Sequence, residues 1–108
     1  MAELEHVSSA DFDQQVLQST APTLVDFTAV WCGPCKMLEP VLKQLADEWK
    51  DQVRIVKLDV DQNPDLAAAY TVLSVPTLIL FQNGTALERV TGYLPKDRLI
   101  KILKPHLQ

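Results

Sequence analysis

A chain of 108 residues with 47% hydrophobic and 22% charged side chains is one domain, long enough to bury a single core without staples. Its formal charge of −4 argues against a nucleic-acid binder, which wants a basic surface. The apolar run Leu78 to Phe81 is strand-sized, and no apolar run in the sequence approaches the length of a membrane helix.

The N-terminal run Met1-Ala2-Glu3-Leu4-Glu5-His6 is acidic and lacks a basic start followed by an apolar stretch, so it reads as no signal peptide. A cytoplasmic location is the resulting expectation. Thiols are kept reduced there, and a lone pair of cysteines is then catalytic rather than structural. Residues 3–7 suit a short edge strand. Ser8 or Ser9 can cap a first helix through about Gln18, with Phe12, Val16 and Leu17 as its buried stripe. Thr20-Ala21-Pro22 ends it, and Thr23 to Ala29 is strand-like. A helix from about Pro34 to Trp49 follows, carrying Met37, Leu38, Val41, Leu42 and Leu45 at helical spacing; Pro40 inside it removes one backbone hydrogen bond and bends the axis.

Val53 to Leu58 reads as the next strand. Asn63 then caps a short helix whose first residue, Pro64, has no N–H to leave unpaired. Thr77 to Phe81 is a strand, Asn83-Gly84 a hairpin turn, and Ala86 to Thr91 the returning strand. A last helix starts near Pro95, turns Leu99, Ile100 and Leu103 inward and stops around Pro105. The order β-α-β-α-β-α-β-β-α predicts an α/β fold in which helix-linked strands are parallel neighbours and the hairpin is antiparallel. The sheet is then mixed, with helices on both faces.

Only two cysteines occur, in the run Trp31-Cys32-Gly33-Pro34-Cys35-Lys36 between a strand and a helix. That spacing lets the sulfurs bond, and the helix start favours a thiolate. Cys32, at the helix mouth, reads as the exposed attacker; Cys35, one turn further in, reads as the thiol that resolves the intermediate. A zinc half-site needs two further ligands, and His6 and His106 stand at opposite ends of the chain without a partner in sight. Asp26, flanked by Leu24, Val25 and Phe27, belongs to a covered strand. Desolvation there raises a carboxyl pKa and makes Asp26 the candidate acceptor for the Cys35 proton. Gly33 and Pro34 neither shield the sulfur nor donate to it through a side chain.

Taken together, Val25-Asp26-Phe27, the Trp31–Lys36 motif, the Lys57 strand, Val75-Pro76-Thr77, Phe81-Gln82-Asn83-Gly84 and Gly92 resemble the thioredoxin family from end to end of residues 1–108. The resemblance implies the thioredoxin fold: a mixed sheet of about five strands flanked by four helices. It implies a general protein-disulfide reductase with no bound cofactor other than a Cys32–Cys35 disulfide, monomeric, and re-reduced by a flavin-containing, NADPH-dependent thioredoxin reductase. The Gly33-Pro34 pair goes with a reductant in this family, not an oxidase or isomerase. Lys57 would lie beside Asp26 and offset its burial by charge pairing, although as a residue it reads equally well as a surface lysine on an alternating strand. Pro76 would be cis, where sequence alone allows a trans proline opening the strand. Trp31, Gly33, Pro34, Val75, Pro76 and Gly92 would then form a flat apolar patch for an extended substrate. Thr28, where many bacterial members carry Trp, and the bulky Tyr93 depart from the pattern. A rival reading is a binding module that uses the same patch and treats the cysteines only as a switch.

Overall fold

Alternating side chains along the central strands sort the core into two halves. The computed structural model describes residues 3–107; Met1 and Ala2, part of the run read as no signal peptide, lie outside them. Five strands, β1 (Glu5–His6), β2 (Thr23–Thr28), β3 (Arg54–Asp59), β4 (Thr77–Gln82) and β5 (Thr85–Thr91), form one sheet in the order β1-β3-β2-β4-β5. Leu24, Ile55, Leu78 and Leu80 point to one face and pack with Leu38, Leu42 and Leu45 of helix α1 (Gly33–Glu48) and Leu99 and Leu103 of helix α3 (Lys96–Leu103). Val25, Phe27, Val56, Leu58, Ile79 and Phe81 point the other way, onto Phe12, Val16, Leu66 of helix α2 (Pro64–Ala69) and Tyr70 just after it. By the same alternation Asp26 and Lys57 lie on the α1 face, and they are register partners on adjacent parallel strands.

The sheet is mixed and covered on both faces, as expected, but its neighbours are not all those the linking helices predict. Only β2 and β3, joined by α1, are helix-linked parallel neighbours. Both sides of β3 are already taken, by β1 and β2, so β4 adds to the free edge of β2. It does so antiparallel. Thr77, the first residue of β4, pairs with Phe27, which also pairs with Leu58 near the end of β3. The chain thus re-enters the sheet at the end it left, because the six residues of α2 rise only about 9 Å and do not span a strand's length. The ends of β2 and β3, the start of β4 and the mouth of α1 consequently share one edge of the sheet, where the cysteines are.

Local capping also differs from the sequence reading. Neither Ser8 nor Ser9 caps a helix running to Gln18; residues Asp13–Leu17 form a single π-helical stretch in which Gln18 N–H bonds Asp13 O at 2.8 Å. Ser8 N–H instead donates to Asp11 Oδ1, and Ser9 N–H donates to Asn63 Oδ1, both at 2.8 Å. That long-range bond occupies the oxygen expected to cap α2, so Asn63 stands at the cap position without a side-chain capping bond. Helix α1 continues through Pro40. Past α3 the chain tightens into a 3-10 turn, Lys104–Leu107, that includes Pro105. The Asn83-Gly84 hairpin is present, and both residues have positive φ (52° and 78°), the geometry of a type I′ turn.

Candidate active site

Cys32 is the N-cap residue of α1, with extended backbone, and the Cys35 N–H donates to its Sγ at 3.1 Å. Pro34 has no N–H, so the first turn directs its capping donor from Cys35. A sulfur in this position accepts a hydrogen bond and sits at the positive end of a 16-residue helix, both of which favour its anionic form. The two cysteines are joined as a disulfide with Cα atoms 5.3 Å apart. At Gly33 a Cβ would meet nothing within 4 Å, so the strip of chain between the cysteines is open.

The expectation of an exposed Cys32 in front of a buried Cys35 is corrected in this oxidised state. Both are buried, at 4% and 3% exposure, and they cluster with Ala29, Val60 and Val75. Val75 O lies 3.6 Å from the Cys32 Sγ. With the disulfide closed there is no S–H to donate, so that approach is a contact, not a hydrogen bond. The two cysteines nonetheless face different surroundings. Cys35, not Cys32, lines a cavity of about 530 Å³ on the α1 side, together with Lys57, Glu39 and Lys43. Cys32 meets Val75 instead, through the 3.6 Å approach of its Sγ to Val75 O.

The expected flat apolar patch is instead a groove. Trp31, 67% exposed, is held at its edge by an Nε1–H bond to Asp61 Oδ2 at 2.7 Å. Trp31 and Val75 line about 220 Å³ of it with Val60, Val72 and Leu73, a span that extends to Pro64 and Ala67 of α2. The Val75–Pro76 peptide is cis. Gly92, with φ of 90°, donates its N–H to Pro76 O at 2.8 Å, which ties it to the cis-proline loop. Pro34 and Gly33 are exposed, whereas Pro76 is buried. Val60, Val72 and Leu73 were not singled out in the sequence. Leu73, at 89% exposure, has no periodic neighbour to mark it, and only the turn after α2 brings it to the groove beside Trp31.

Asp26 is 1% exposed, and its Oδ1 has no hydrogen-bond partner. Burial, with repulsion from Glu39, pushes its pKa up to about 7 against a smaller opposing pull from Lys57. Lys57 is not a lone surface lysine: its Nζ is bound to Glu39 Oε1 at 2.6 Å, and this bond holds the Glu39 carboxyl below the usual carboxylate range. Glu39 was missed in the sequence, although its place four residues after Cys35 puts both on one face of α1. Of the histidines, His106 is paired, its Nε2 3.1 Å from Glu88 Oε2, which replaces the reading of it as partnerless. Thr28 lines the cavity beside Cys35, so this departure from the expected pattern borders the site. Among the described residues no group of three or more His, Cys, Asp or Glu is arranged to hold a metal ion.

A disulfide at a helix mouth, an apolar groove lined by Trp31 and Val75 and a buried carboxyl on the α1 face of the sheet together make a site for thiol–disulfide exchange. The thioredoxin family pattern matches residues 3–105. Thioredoxins of Staphylococcus aureus strains Mu50, MW2 and N315 are each 50% identical over 101 residues, covering 94% of this chain and 95% of theirs. The chain belongs to the thioredoxin family, and its redox group is the Cys32–Cys35 disulfide of a thiol–disulfide oxidoreductase.

Proposed function

We propose that the whole chain acts as one monomeric thioredoxin domain in the cytoplasm, with Cys32 as nucleophile, Cys35 as resolving thiol and Asp26 as proton acceptor. Among the described residues no helix is long and apolar enough to cross a membrane. The observation that carries the assignment of roles is the asymmetry around the pair: the Cys35 N–H is aimed at the Cys32 sulfur, and the cavity with its charged groups reaches Cys35.

In the reduced protein the Cys32 thiolate attacks one sulfur of a substrate disulfide. A Cys32–substrate disulfide forms, the substrate S–S bond breaks, and the departing thiolate takes up a proton. Cys35 then gives its proton to Asp26 and attacks Cys32 Sγ. The Cys32–substrate bond breaks, the second substrate sulfur leaves as a thiolate that takes up a proton, Asp26 gives up the proton it accepted, and the Cys32–Cys35 disulfide closes. Two electrons pass to the substrate. They are restored from NADPH through a flavin-containing thioredoxin reductase.

Lys57 modulates the proton affinity of Asp26. Trp31, Val75 and Pro76 hold an extended protein segment along the groove, with the Val75 backbone as a strand-like edge. Gly33 and Pro34 leave the approach to the sulfur unobstructed, and Gly92 buttresses Pro76.

The test is insulin-disulfide reduction by dithiothreitol, with the chain and with a variant carrying Cys32→Ser and Cys35→Ser. Catalysis by the former and background rates with the latter are expected. Activity surviving the double substitution would leave the groove as a binding surface with no reductase role.

A further inference from the structure

Glu39 has no part in the sequence reading, yet it is the residue that decides what Lys57 does. Lys57 and Asp26 are partners across adjacent strands, an arrangement in which the ammonium is the natural countercharge of the buried carboxylate. The ammonium is instead engaged by Glu39 Oε1 at 2.6 Å. Asp26 Oδ1 is left without any partner. Glu39 is itself anchored on its other oxygen, where Lys43 Nζ lies 3.5 Å from Oε2 and also reaches Glu3 Oε2 at 2.9 Å.

We propose that Glu39 is a positioning residue for the proton-transfer step: it holds the Lys57 ammonium toward the cavity and so withholds from Asp26 the charge that would keep it ionised. The inference rests on the reading of Asp26 as proton acceptor for Cys35. An acceptor paired tightly with a lysine is a weak base, whereas one stripped of its countercharge takes a proton near neutral pH. The elevated proton affinity of Asp26 fits this, since Glu39 raises it and Lys57 lowers it.

The remaining charged groups around the cavity compete for the same pair. Lys36 and Lys43 come from α1, Asp59 from β3 and His6 from β1. Lys43 has a carboxylate partner in Glu3 besides Glu39, so it does not replace the Lys57 contact. A purely structural ion pair between α1 and β3 would show the same distance; what separates the two is the titration of Asp26.

The experiment follows the Asp26 carboxyl by carbon-13 NMR across pH in the reduced full chain, for the unsubstituted protein, Glu39→Gln, Lys57→Met and Glu39→Gln with Lys57→Met. Glutamine keeps the shape and an acceptor oxygen but removes the charge. The Asp26 midpoint is expected to fall by about one pH unit in Glu39→Gln, a tenfold rise in its acid dissociation constant. The acid limb of the insulin-reduction profile is expected to move with it. When Lys57 is already Met, adding Glu39→Gln should move the midpoint by less than half as much, because only direct repulsion remains to be removed. A midpoint unmoved by Glu39→Gln, a profile that stays put while the midpoint moves, or an equal displacement without Lys57 would each overturn the proposal. The NMR reading needs no catalysis, so it is independent of the reductase reading. The reading of Asp26 as proton acceptor fails separately if Asp26→Ala leaves the pH profile of insulin reduction unchanged.

Discussion

Replacing Cys35 by Ser is expected to turn the protein from a catalyst into a trap. Cys32 keeps its helix-mouth position and its hydrogen bond from the backbone N–H of residue 35, which the substitution does not remove. The first attack therefore proceeds, and a Cys32–substrate disulfide forms. Release then depends on an outside thiol, because the resolving sulfur, held with its Cα 5.3 Å from that of Cys32, is gone. Loss of that intramolecular step should lower turnover by at least about a thousandfold, on the scale of losing a residue that acts as one unit with a nucleophile. Cys32→Ser should lower it as far but capture nothing. Non-reducing electrophoresis of each variant after incubation with cell extract, followed by mass spectrometry of the linked peptides, reads both outcomes. Capture by Cys32→Ser and none by Cys35→Ser would reverse the order of the two thiols.

Asp26→Ala is expected to make the protein more stable and less active. The Asp26 carboxyl is raised from 3.8 to about 7 in the fold, chiefly because burial disfavours its charge. Between those values the folded chain holds a proton that the unfolded chain has released, so stability falls as pH rises through the window. At about 1.4 kcal/mol per pH unit, the full cost above pH 7 is about 4 kcal/mol. Alanine removes that cost and leaves a small cavity. Denaturant unfolding of the oxidised protein should show the variant more stable by several kcal/mol at pH 8.5, with the gain shrinking toward zero near pH 4. The same variant should release the mixed disulfide more slowly at neutral pH, since the acceptor is absent. A stability difference that does not change with pH would show that the carboxyl is not ionised against its surroundings.

The parts of this molecule set by local chemistry are readable along the chain. Asn83-Gly84 specifies its turn because both residues accept positive φ. Leu24, Val25 and Phe27 mark Asp26 as buried, since no face of a strand so flanked reaches water, and the Cys-x-x-Cys spacing places two sulfurs across the first helical turn. What is not readable depends on partners far away in sequence. Asn63 is a good capping residue whose side chain is claimed by Ser9, 54 positions earlier. The neighbours of β4 follow from which sheet edge is left free, not from the helix before it. Glu39 and Leu73 look like ordinary surface residues until Lys57 and Trp31 are brought beside them. Family resemblance supplies the cis Pro76 and the pairing of Lys57 with Asp26 across strands, neither of which residue patterns alone select. It does not supply Glu39. The burial of Cys32 depends on Ala29, Val60 and Val75, which pack around the pair from other parts of the chain.

Reactivity of the reduced pair bears most directly on the central claim, that the sulfur at the mouth of α1 is the ionised one. Brief iodoacetamide labelling of the reduced chain from pH 5 to 10, with each cysteine quantified by mass spectrometry, reads it site by site. Cys32 is expected to label with a midpoint well below the free-cysteine value of about 8.5, and Cys35 to resist labelling through neutral pH. Labelling of Cys32 only at the free-cysteine midpoint, or of Cys35 ahead of it, would contradict the account.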